Sequence, residues 1–222
     1  MISKYKYCLF DLDGTLTDPA PGITASVAYA LERFGIEVSD RAELNKFIGP
    51  PLVYSFKTYY GFSDEQAKQA VAYYRERFRA GGLYENEIYP GIAELLENIK
   101  AGGGRVILAT SKPEEFAVKI LEHFEILKYF EFVAGNTLEE TRPEKRQVIE
   151  HILANYPDIC AENAVMVGDR EYDVLAAKEF SLPSVGVLFG YGSLEELTNA
   201  GADMLAESVP ALSALLIDAR VE

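Results

Sequence analysis

The sequence predicts an α/β fold in which helices cover both faces of a parallel sheet, with a helical segment inserted after the first strand. Three observations carry this prediction: short apolar runs, helical patterns between them, and polar residues where the runs end. Short apolar runs are typical of strands buried on both faces, and alternating strands and helices form βαβ units. The expected core is therefore Rossmann-like.

The strands and helices of the core follow one another along the chain. Each apolar run is bounded by glycine or polar residues, and a helical pattern separates it from the next. The predicted strands cover residues 7–10, 105–109, 132–134, 164–167 and 184–188. The predicted helices cover residues 92–100, 116–124, 145–156 and 175–180.

No apolar strand run is found between the first strand and Tyr89-Pro90-Gly91. Residues 22–34 have helical spacing, and Ser63 and Gln66 have the spacing of a capping box before a second helical pattern. We therefore predict a core domain formed by residues 1–16 and 87–222, and a small α-helical domain formed by residues 17–86.

The composition excludes several classes of protein. A formal net charge of −14 argues against binding to a nucleic acid polymer or an anionic membrane, since such proteins present a basic face. No apolar run approaches 18 residues, so no membrane span is expected, and the first residues lack the apolar segment of a signal peptide. Two cysteines far apart in sequence imply no disulfide framework. We expect a cytoplasmic protein, either a monomer or a homodimer.

Polar side chains follow the carboxyl ends of three predicted strands, the edge at which open α/β sheets bind ligands. Asp11 and Asp13 end the first strand, Thr110 and Ser111 end the second, and Asp169 ends a later one. Alternation along a strand places Asp11 and Asp13 on one side. Two like charges at close range disfavour each other, so the pair suggests a hard divalent cation with oxygen ligands. Gly14 allows the chain to turn away sharply.

These residue types suit phosphoryl chemistry. Asp11 can act as a nucleophile, and Asp13 can protonate the leaving oxygen and later activate water. Thr110 is suited to hold a phosphoryl oxygen. We also predict that Gly14, Thr15 and Ser111 contribute to phosphate binding.

Two further acids and a lysine complete the predicted site. Asp169 offers another oxygen to a metal, and Asp173, four residues later on a helix, can orient metal-bound water or a lysine. A fixed cation is needed to offset phosphoryl charge. Lys145 and Lys112 are the candidates, and we prefer Lys145, leaving Lys112 open between a site residue and a surface lysine.

Four motifs in this order resemble those of the haloacid dehalogenase-like phosphohydrolases: Asp11-Leu12-Asp13-Gly14-Thr15, a strand ending in Thr110, Lys145, and Gly168-Asp169-Arg170-Glu171-Tyr172-Asp173. The resemblance spans nearly the whole chain. It implies that Asp11 is the nucleophile, that Asp13 is the general acid and base, and that Thr110 and Lys145 bind phosphate. It also implies Mg²⁺ held by Asp11, the backbone carbonyl of Asp13, and Asp169. The inserted helices resemble the cap domain of the phosphoglycolate phosphatase branch.

Several shorter segments resemble a 5'-nucleotidase-like group of that family, among them Gly49-Pro50-Pro51-Leu52 and Ala109-Thr110-Ser111-Lys112-Pro113. One departure is at the third motif, where many relatives have Gly-Lys-Pro and this chain has Glu144-Lys145-Arg146, with Arg142 nearby. The resemblance favours a nucleoside 5'-monophosphate as substrate, ahead of phosphoglycolate and sugar phosphates. The candidate substrate contacts in the cap are Lys46, Gly49, Tyr54 and Arg75.

Other classes remain open from the residues themselves. A receiver-like signalling module also combines an acidic cluster with a lysine on a parallel sheet, although this chain is longer than such a module needs. A fold kept only for binding is disfavoured because Asp11 and Asp13 are both present. Dehalogenation at carbon is disfavoured because it needs neither the second aspartate nor Mg²⁺.

Overall fold

A parallel sheet of six strands forms the centre of this fold, in a computed structural model that describes residues 1–218. In chain order the strands are β1 (Ile2–Ser3), β2 (Tyr7–Phe10), β3 (Thr17–Asp18), β4 (Glu87–Ile88), β5 (Arg105–Pro113), β6 (Phe130–Asn136), β7 (Ala164–Gly168), β8 (Ser184–Val187), β9 (Met204–Ala206) and β10 (Ile217–Asp218). The order across the main sheet is β6-β5-β2-β7-β8-β9, and every pairing is parallel. The predicted α/β fold is confirmed.

Helices connect these strands. They are α1 (Ala20–Glu32), α2 (Leu52–Tyr60), α3 (Asp64–Ala80), α4 (Ile92–Ala101), α5 (Glu114–His123), α6 (Lys145–Asn155), α7 (Glu171–Glu179), α8 (Leu194–Ala200) and α9 (Val209–Leu216). Short 3-10 segments add Arg41–Phe47, Gly82–Tyr84 and Leu127–Tyr129. The capping box predicted at Ser63 is confirmed, since its hydroxyl accepts from Gln66 N–H and the Gln66 side chain accepts from Ser63 N–H.

The first strand of the sheet is buried on both faces, as its continuous apolar sequence predicts. All four residues of β2 are fully buried. Leu9 lies opposite Ile107 on β5 and Met166 on β7. These three side chains belong to one hydrophobic cluster with residues of α6 and α7. Because β2 lies between β5 and β7, its carboxyl end meets the ends of both neighbours at one edge of the sheet.

The chain folds into two compact units. The first consists of Met1–Thr17 and the chain from Ile88 onward, and it contains the six-stranded sheet. The second consists of Asp18–Glu87 and contains α1, α2 and α3. A two-stranded sheet of β3 and β4 is found where the chain passes between the units. The predicted assignment of residues 17–86 as a cap that serves a catalytic core stays a prediction, and residues 219–222 of the predicted core lie outside the described part.

The two cysteines are unpaired in the structure. Cys8 lies in β2 with no exposed surface, whereas Cys160 is exposed. Burial raises the pKa of the Cys8 thiol to about 12. Among the described helices, none combines the length and the apolar character needed to cross a bilayer.

This difference in burial predicts unequal thiol reactivity. Because only the thiolate reacts, native protein treated with DTNB should release close to one equivalent of thionitrobenzoate, from Cys160. In 6 M guanidinium chloride the count should reach two. Absorbance at 412 nm measures both values. A Cys160→Ser variant that still reacts rapidly in the native state would contradict the burial of Cys8.

Candidate active site

Three neighbouring strands bring the predicted site residues to one edge of the sheet. Asp11 directly follows β2, Thr110 lies in the last part of β5, and Asp169 directly follows β7. The register is level across the three strands, with Phe10 opposite Leu108 and Val167. After Asp11 the chain folds into a tight loop closed by Leu12 C=O, which accepts from the N–H groups of the three residues from Thr15 to Thr17. The edge is the one at which sheets of this kind bind ligands.

A buried lysine lies between two of the aspartates. Lys145 is the first residue of α6 and is 5% exposed. Its Nζ is 2.9 Å from Asp11 Oδ1 and 2.7 Å from Asp173 Oδ1, and it donates to the Ala109 carbonyl at 2.8 Å. Burial alone would lower the pKa of Lys145, but the carboxylates of Asp11 and Asp173 raise it above its ordinary value. The ammonium therefore stays charged, with two carboxylates at ion-pair distance and one carbonyl that accepts its hydrogen bond.

Three buried carboxylates crowd together beside this lysine. One oxygen from each of Asp11, Asp169 and Asp173 lies within 4.8 Å of the others. Burial raises the pKa of Asp169 well above its ordinary value, and the charges of Asp173 and Asp11 raise it further. Burial likewise raises the pKa of Asp173 to about 6, against the opposing effect of Lys145. Three acids thus face one lysine, and the raised pKa values of Asp169 and Asp173 mean that ionisation of all three together is disfavoured without a further positive charge.

The donor set fits a hard divalent cation. Asp169 Oδ2 accepts a hydrogen bond from Tyr191 N–H at 2.8 Å, whereas its buried Oδ1 accepts none from the described residues. A buried carboxylate oxygen without a donor is costly, and a cation beside it would remove that cost. Two of the predicted ligands, Asp11 and Asp169, belong to this cluster, and the carboxylate of Asp173 is the third acid beside them. The predicted ligand role of the Asp13 backbone carbonyl stays a prediction.

The second aspartate of the first motif pairs with a different lysine. Lys112 Nζ lies 2.8 Å from both carboxylate oxygens of Asp13, and their side chains are 6% and 13% exposed. Burial raises the pKa of Asp13 above its ordinary value, and Lys112 opposes this effect. A surface position for Lys112, which the sequence left open, is therefore excluded. The sequence contained an indication of this contact. Lys112 follows Thr110 by two residues, and side chains two residues apart on a strand point to the same face.

The predicted phosphate-binding residues are close to these acids in sequence and fold. Thr110 is buried, and its Oγ1 accepts from Lys112 N–H at 3.2 Å. Thr15 is fully buried, and its hydroxyl has no hydrogen-bond partner among residues 1–218. Ser111 is half-buried in β5. The structure thus places these three near the carboxyl ends of β2 and β5, and their phosphate contacts stay predictions.

The backbone at Gly14 lies so close to the Asp169 side chain that there is no room for a side chain at position 14. Its φ is +82°, and a Cβ at this position would lie 2.1 Å from Asp169 Oδ2. The loop after β8 approaches equally closely, since a Cβ on Gly190 would lie 2.3 Å from the Gly14 carbonyl oxygen. Glycines therefore let two loops pack directly against Asp169. The sequence pointed to Gly14 and left Gly190-Tyr191-Gly192 open between the rim of the site and a simple turn; the structure places Gly190 and the Tyr191 N–H against Asp169.

Replacing Gly14 by alanine should damage the site more than it damages the fold. The left-handed backbone costs about 1–2 kcal/mol for any residue with a Cβ, and the clash additionally displaces Asp169. A displacement near 1 Å at a reacting centre can cost about 100-fold in rate, so we expect at least that loss of kcat/KM for the phosphoryl chemistry that the motifs predict. Gly103→Ala is the matched control, because Gly103 has φ +87° and open space where its Cβ would stand. Equal activity losses in the two variants would contradict the steric argument.

The four candidate contacts of the helical insertion all lie in the second compact unit. Lys46 Nζ lies over the rings of Tyr59 and Tyr60, 4.9 and 5.6 Å from their centroids. Gly49 has φ +102°, the left-handed conformation that its residue type permits. Tyr54 is 52% exposed and Arg75 is half-buried. Their roles in binding substrate stay predictions.

Comparison with known proteins gives one family and several relatives. The family model described as "Haloacid dehalogenase-like hydrolase" matches residues 8–187. The chain is 47% identical over 194 residues to a 5'-nucleotidase of Pseudomonas aeruginosa, covering 87% of each protein. It is 39% identical over 184 residues to the tyrosine-protein kinase PtkA of Mycobacterium tuberculosis, which covers 83% of this chain and 62% of the kinase. A phosphoglycolate phosphatase of Pseudomonas aeruginosa is 30% identical over 215 residues, covering 91% of this chain and 78% of its own.

Solved structures agree with the family model. The chain matches the crystal structure of a predicted phosphatase from Clostridium acetobutylicum with a TM-score of 0.92 and 48% sequence identity. The match covers 96% of this chain and 98% of that one, so it includes the inserted helices as well as the sheet.

Proposed function

This chain belongs to the haloacid dehalogenase-like hydrolases and is a phosphatase, and we propose that it cleaves a nucleoside 5'-monophosphate through an aspartyl-phosphate on Asp11. The observation that carries the proposal is the position of Asp11. Its carboxylate lies at the end of β2, within 2.9 Å of the buried Lys145 ammonium and beside the carboxylates of Asp169 and Asp173. A nucleophile held next to a fixed positive charge is what phosphoryl transfer needs, because catalysis there consists of positioning and charge stabilisation.

The proposed first step transfers the phosphoryl group to the protein. The Asp11 carboxylate attacks phosphorus, the bond from phosphorus to the ester oxygen breaks, and Asp13 gives its proton to the leaving alkoxide. In the second step Asp13 takes a proton from water, whose oxygen attacks phosphorus. The bond to Asp11 then breaks, and inorganic phosphate leaves. Burial raises the pKa of Asp13 above its ordinary value, which is the direction that favours a proton donor.

Other side chains would hold the phosphoryl oxygens. Lys145 supplies a fixed charge, and Thr110, Ser111 and Thr15 supply hydroxyl groups at the ends of β2 and β5. Family members generally use Mg²⁺. A bound Mg²⁺, held by Asp11, Asp169 and the Asp13 carbonyl with Asp173 beside them, would neutralise phosphoryl charge during transfer.

The choice of substrate rests on similarity and on the candidate cap residues. The 47% identity to a protein named 5'-nucleotidase favours a nucleotide over phosphoglycolate, for which the named relative is 30% identical. A nucleobase needs an aromatic or apolar surface, and Tyr54 offers an exposed ring. The carboxylate of phosphoglycolate needs a cation, for which Lys46 or Arg75 would serve. Sugar phosphates are the third candidate.

A substrate panel tests the proposal. The purified protein with Mg²⁺ is assayed against AMP, GMP, UMP, phosphoglycolate, glucose 6-phosphate and pyrophosphate, and kcat/KM is compared. We expect the best nucleotide to exceed phosphoglycolate and glucose 6-phosphate by about tenfold or more, a difference of about 1.4 kcal/mol in transition-state binding. EDTA should abolish turnover, and added Mg²⁺ should restore it. A higher kcat/KM for phosphoglycolate than for any nucleotide would contradict the proposed substrate. Full turnover in EDTA would contradict the proposed Mg²⁺ dependence.

The relative named as a tyrosine kinase supplies a second candidate, phosphoryl transfer from ATP to a protein tyrosine. Incubation with γ-³²P-ATP separates the two. Label on tyrosine of this chain or of an added protein, without release of phosphate from AMP, would favour the kinase. Phosphate release from AMP without protein labelling on tyrosine would favour the phosphatase. Cytoplasmic location and a monomeric or homodimeric state stay predictions.

A further inference from the structure

The loop between β6 and α6 is closed by side-chain hydrogen bonds at its start. The buried Asn136 Oδ1 accepts from the N–H groups of Thr137 and Arg142, at 2.8 and 3.1 Å. Thr137 Oγ1 accepts from Thr141 N–H at 3.1 Å and hydrogen-bonds the Thr141 hydroxyl at 3.0 Å. These contacts hold the six residues from Thr137 to Arg142 in one turn, which ends three residues before Lys145.

The side chain of Arg142 then fastens this loop to the start of α5. Arg142 Nε donates to the Gly135 carbonyl at 3.0 Å, and Nη2 donates to Glu114 Oε1 at 2.5 Å. The same Glu114 oxygen accepts from Gly135 N–H at 3.1 Å. We call these three residues the Arg142 clamp. The guanidinium is 19% exposed and the carboxylate 36%, so the ion pair is partly shielded from water.

The clamp joins the two segments that carry the phosphate-binding groups. Glu114 is the first residue of α5 and directly follows β5, which contains Thr110. On the other side, Lys145 is the first residue of α6 and lies three residues after Arg142. The end of β6, where the loop begins, lies close to β5, because a Cβ on Gly135 would lie 2.5 Å from the Lys112 carbonyl oxygen. A shift of the loop would therefore move Lys145 relative to Asp11.

We propose that Arg142 is a positioning residue that, through Glu114 and Gly135, holds Lys145 at its distance from Asp11. Lys145 Nζ has three partners within 2.9 Å, and all three would be lost or lengthened by a displacement of about 1 Å. None of the described contacts of the Arg142 side chain is with a reacting group. The inference rests on the proposed function, since it assigns Arg142 a part in presenting the phosphate-binding cation. The fork of the guanidinium suits the task, because it fixes two acceptors in one plane.

Four variants test the clamp: Arg142→Met, Arg142→Lys, Glu114→Gln and the double variant Arg142→Met/Glu114→Gln. We expect Arg142→Met to lower kcat/KM for the best substrate of the panel by roughly 10- to 100-fold, the cost of a misplaced catalytic group. It should also weaken inhibition by orthovanadate, a phosphoryl mimic, by a similar factor. The double variant should lose no more than Arg142→Met alone, because the two residues act as one unit. Arg142→Lys keeps the positive charge but lacks the planar guanidinium, so we expect its kcat/KM to lie between those of the wild type and Arg142→Met.

Arg146→Met is the matched control. Arg146 lies in the first turn of α6, one residue after Lys145, and its partners are the exposed Glu150 and Glu179, at 3.4 and 3.7 Å. We expect wild-type kcat/KM and orthovanadate inhibition from this variant. A merely structural role for Arg142 would lower the amount of active enzyme, and hence kcat, and would leave the orthovanadate affinity of the remaining enzyme unchanged.

Two results would overturn the clamp: wild-type orthovanadate inhibition in Arg142→Met, or equal losses in Arg142→Met and Arg146→Met. Failure of the proposed function has a different signature, which is phosphatase activity that survives Asp11→Asn in the same assay. If Asp11→Asn is inactive and Arg142→Met behaves as wild type, only the clamp fails.

Discussion

Replacing Asp11 by asparagine is expected to lower phosphatase kcat/KM by roughly 10⁴-fold or more, the size of loss seen when a nucleophile or its partner is removed from an enzyme that acts through a covalent intermediate. The amide has the shape of the carboxylate but cannot attack phosphorus. Initial rates with the best substrate of the panel measure the loss. Rapid acid quench with a substrate labelled in its phosphate group should show acid-stable label on the wild-type protein and none on the variant.

The variant should remain folded, which separates loss of chemistry from loss of structure. Asp11 raises the pKa of both Asp169 and Asp173, so its charge is unfavourable to them, while Lys145 keeps Asp173 and the Ala109 carbonyl as partners. The melting temperature should therefore stay within about 4 °C, the shift that 1 kcal/mol produces in a chain of this size.

Two further variants serve as controls for Asp11→Asn. Asp11→Ala excludes slow deamidation of asparagine back to aspartate. Asp64→Asn, at an exposed aspartate in the first turn of α3, should leave activity unchanged. A residual kcat/KM above about 1% in both Asp11 variants would contradict the nucleophile assignment, because loss of a nucleophile in a covalent mechanism exceeds that factor.

The sheet was predictable because its long strands have continuous apolar sequence. Residues 7–10 and 164–167 were predicted from such runs, and β2 and β7 cover them. β9 was not predicted, since Met204–Ala206 offers only three residues, one of which is exposed at 36%. The pairing of β1 with β10 was also missed, because two strands of two residues each have no periodicity to detect. Their formation depends on contacts between residues more than 200 positions apart, which local sequence does not encode.

The acids of the site were predictable, and their partners were less so. Asp11, Asp13 and Asp169 follow apolar strands, so topology alone brings them to one edge. The pairing of lysines with acids depends instead on side-chain direction and on where helices begin. Lys145 reaches Asp11 and Asp173 because α6 begins at that residue, and Lys112 reaches Asp13 because it is two residues beyond Thr110. The sequence offered both lysines as candidates for one role, whereas the structure gives each a different aspartate.

Replacing Lys145 by methionine is expected to cost both activity and stability. Loss of a preorganised cation at the phosphoryl group should lower kcat/KM by about 10³-fold. Removal of one partner from a buried ionic cluster typically costs about 3–5 kcal/mol, because the remaining charges are left without compensation. Here Asp11 and Asp173 would lose the ammonium at 2.9 and 2.7 Å. We therefore expect a fall in melting temperature of roughly 6–20 °C, measured in EDTA by calorimetry.

The stability deficit of Lys145→Met should depend on pH in a defined direction. Burial raises the pKa of Asp169 and Asp173 in the folded protein. When the pKa of an acid is higher in the folded than in the unfolded state, the protein loses stability as pH rises from the unfolded-state pKa through the folded-state pKa. Lys145 opposes this rise for Asp173, so its removal moves the folded pKa further upward. Lys145 itself has a raised pKa and stays charged throughout the range from about pH 5 to about pH 8. The difference in melting temperature between variant and wild type should thus be small near pH 5 and largest near pH 8.

Lys119→Met provides the control for this pH series. Lys119 lies on α5 with its side chain 43% exposed, and its ion-pair partner is Glu115 on the same helix. Such a surface pair contributes little, so we expect a constant melting temperature difference below about 4 °C at every pH. A deficit in Lys145→Met that is equal at pH 5 and pH 8 would mean that the carboxylates beside it do not carry the repulsion inferred from their crowding. In that case the loss of stability would come from packing around the buried side chain. The electrostatic argument for a cation among these three acids would then fail.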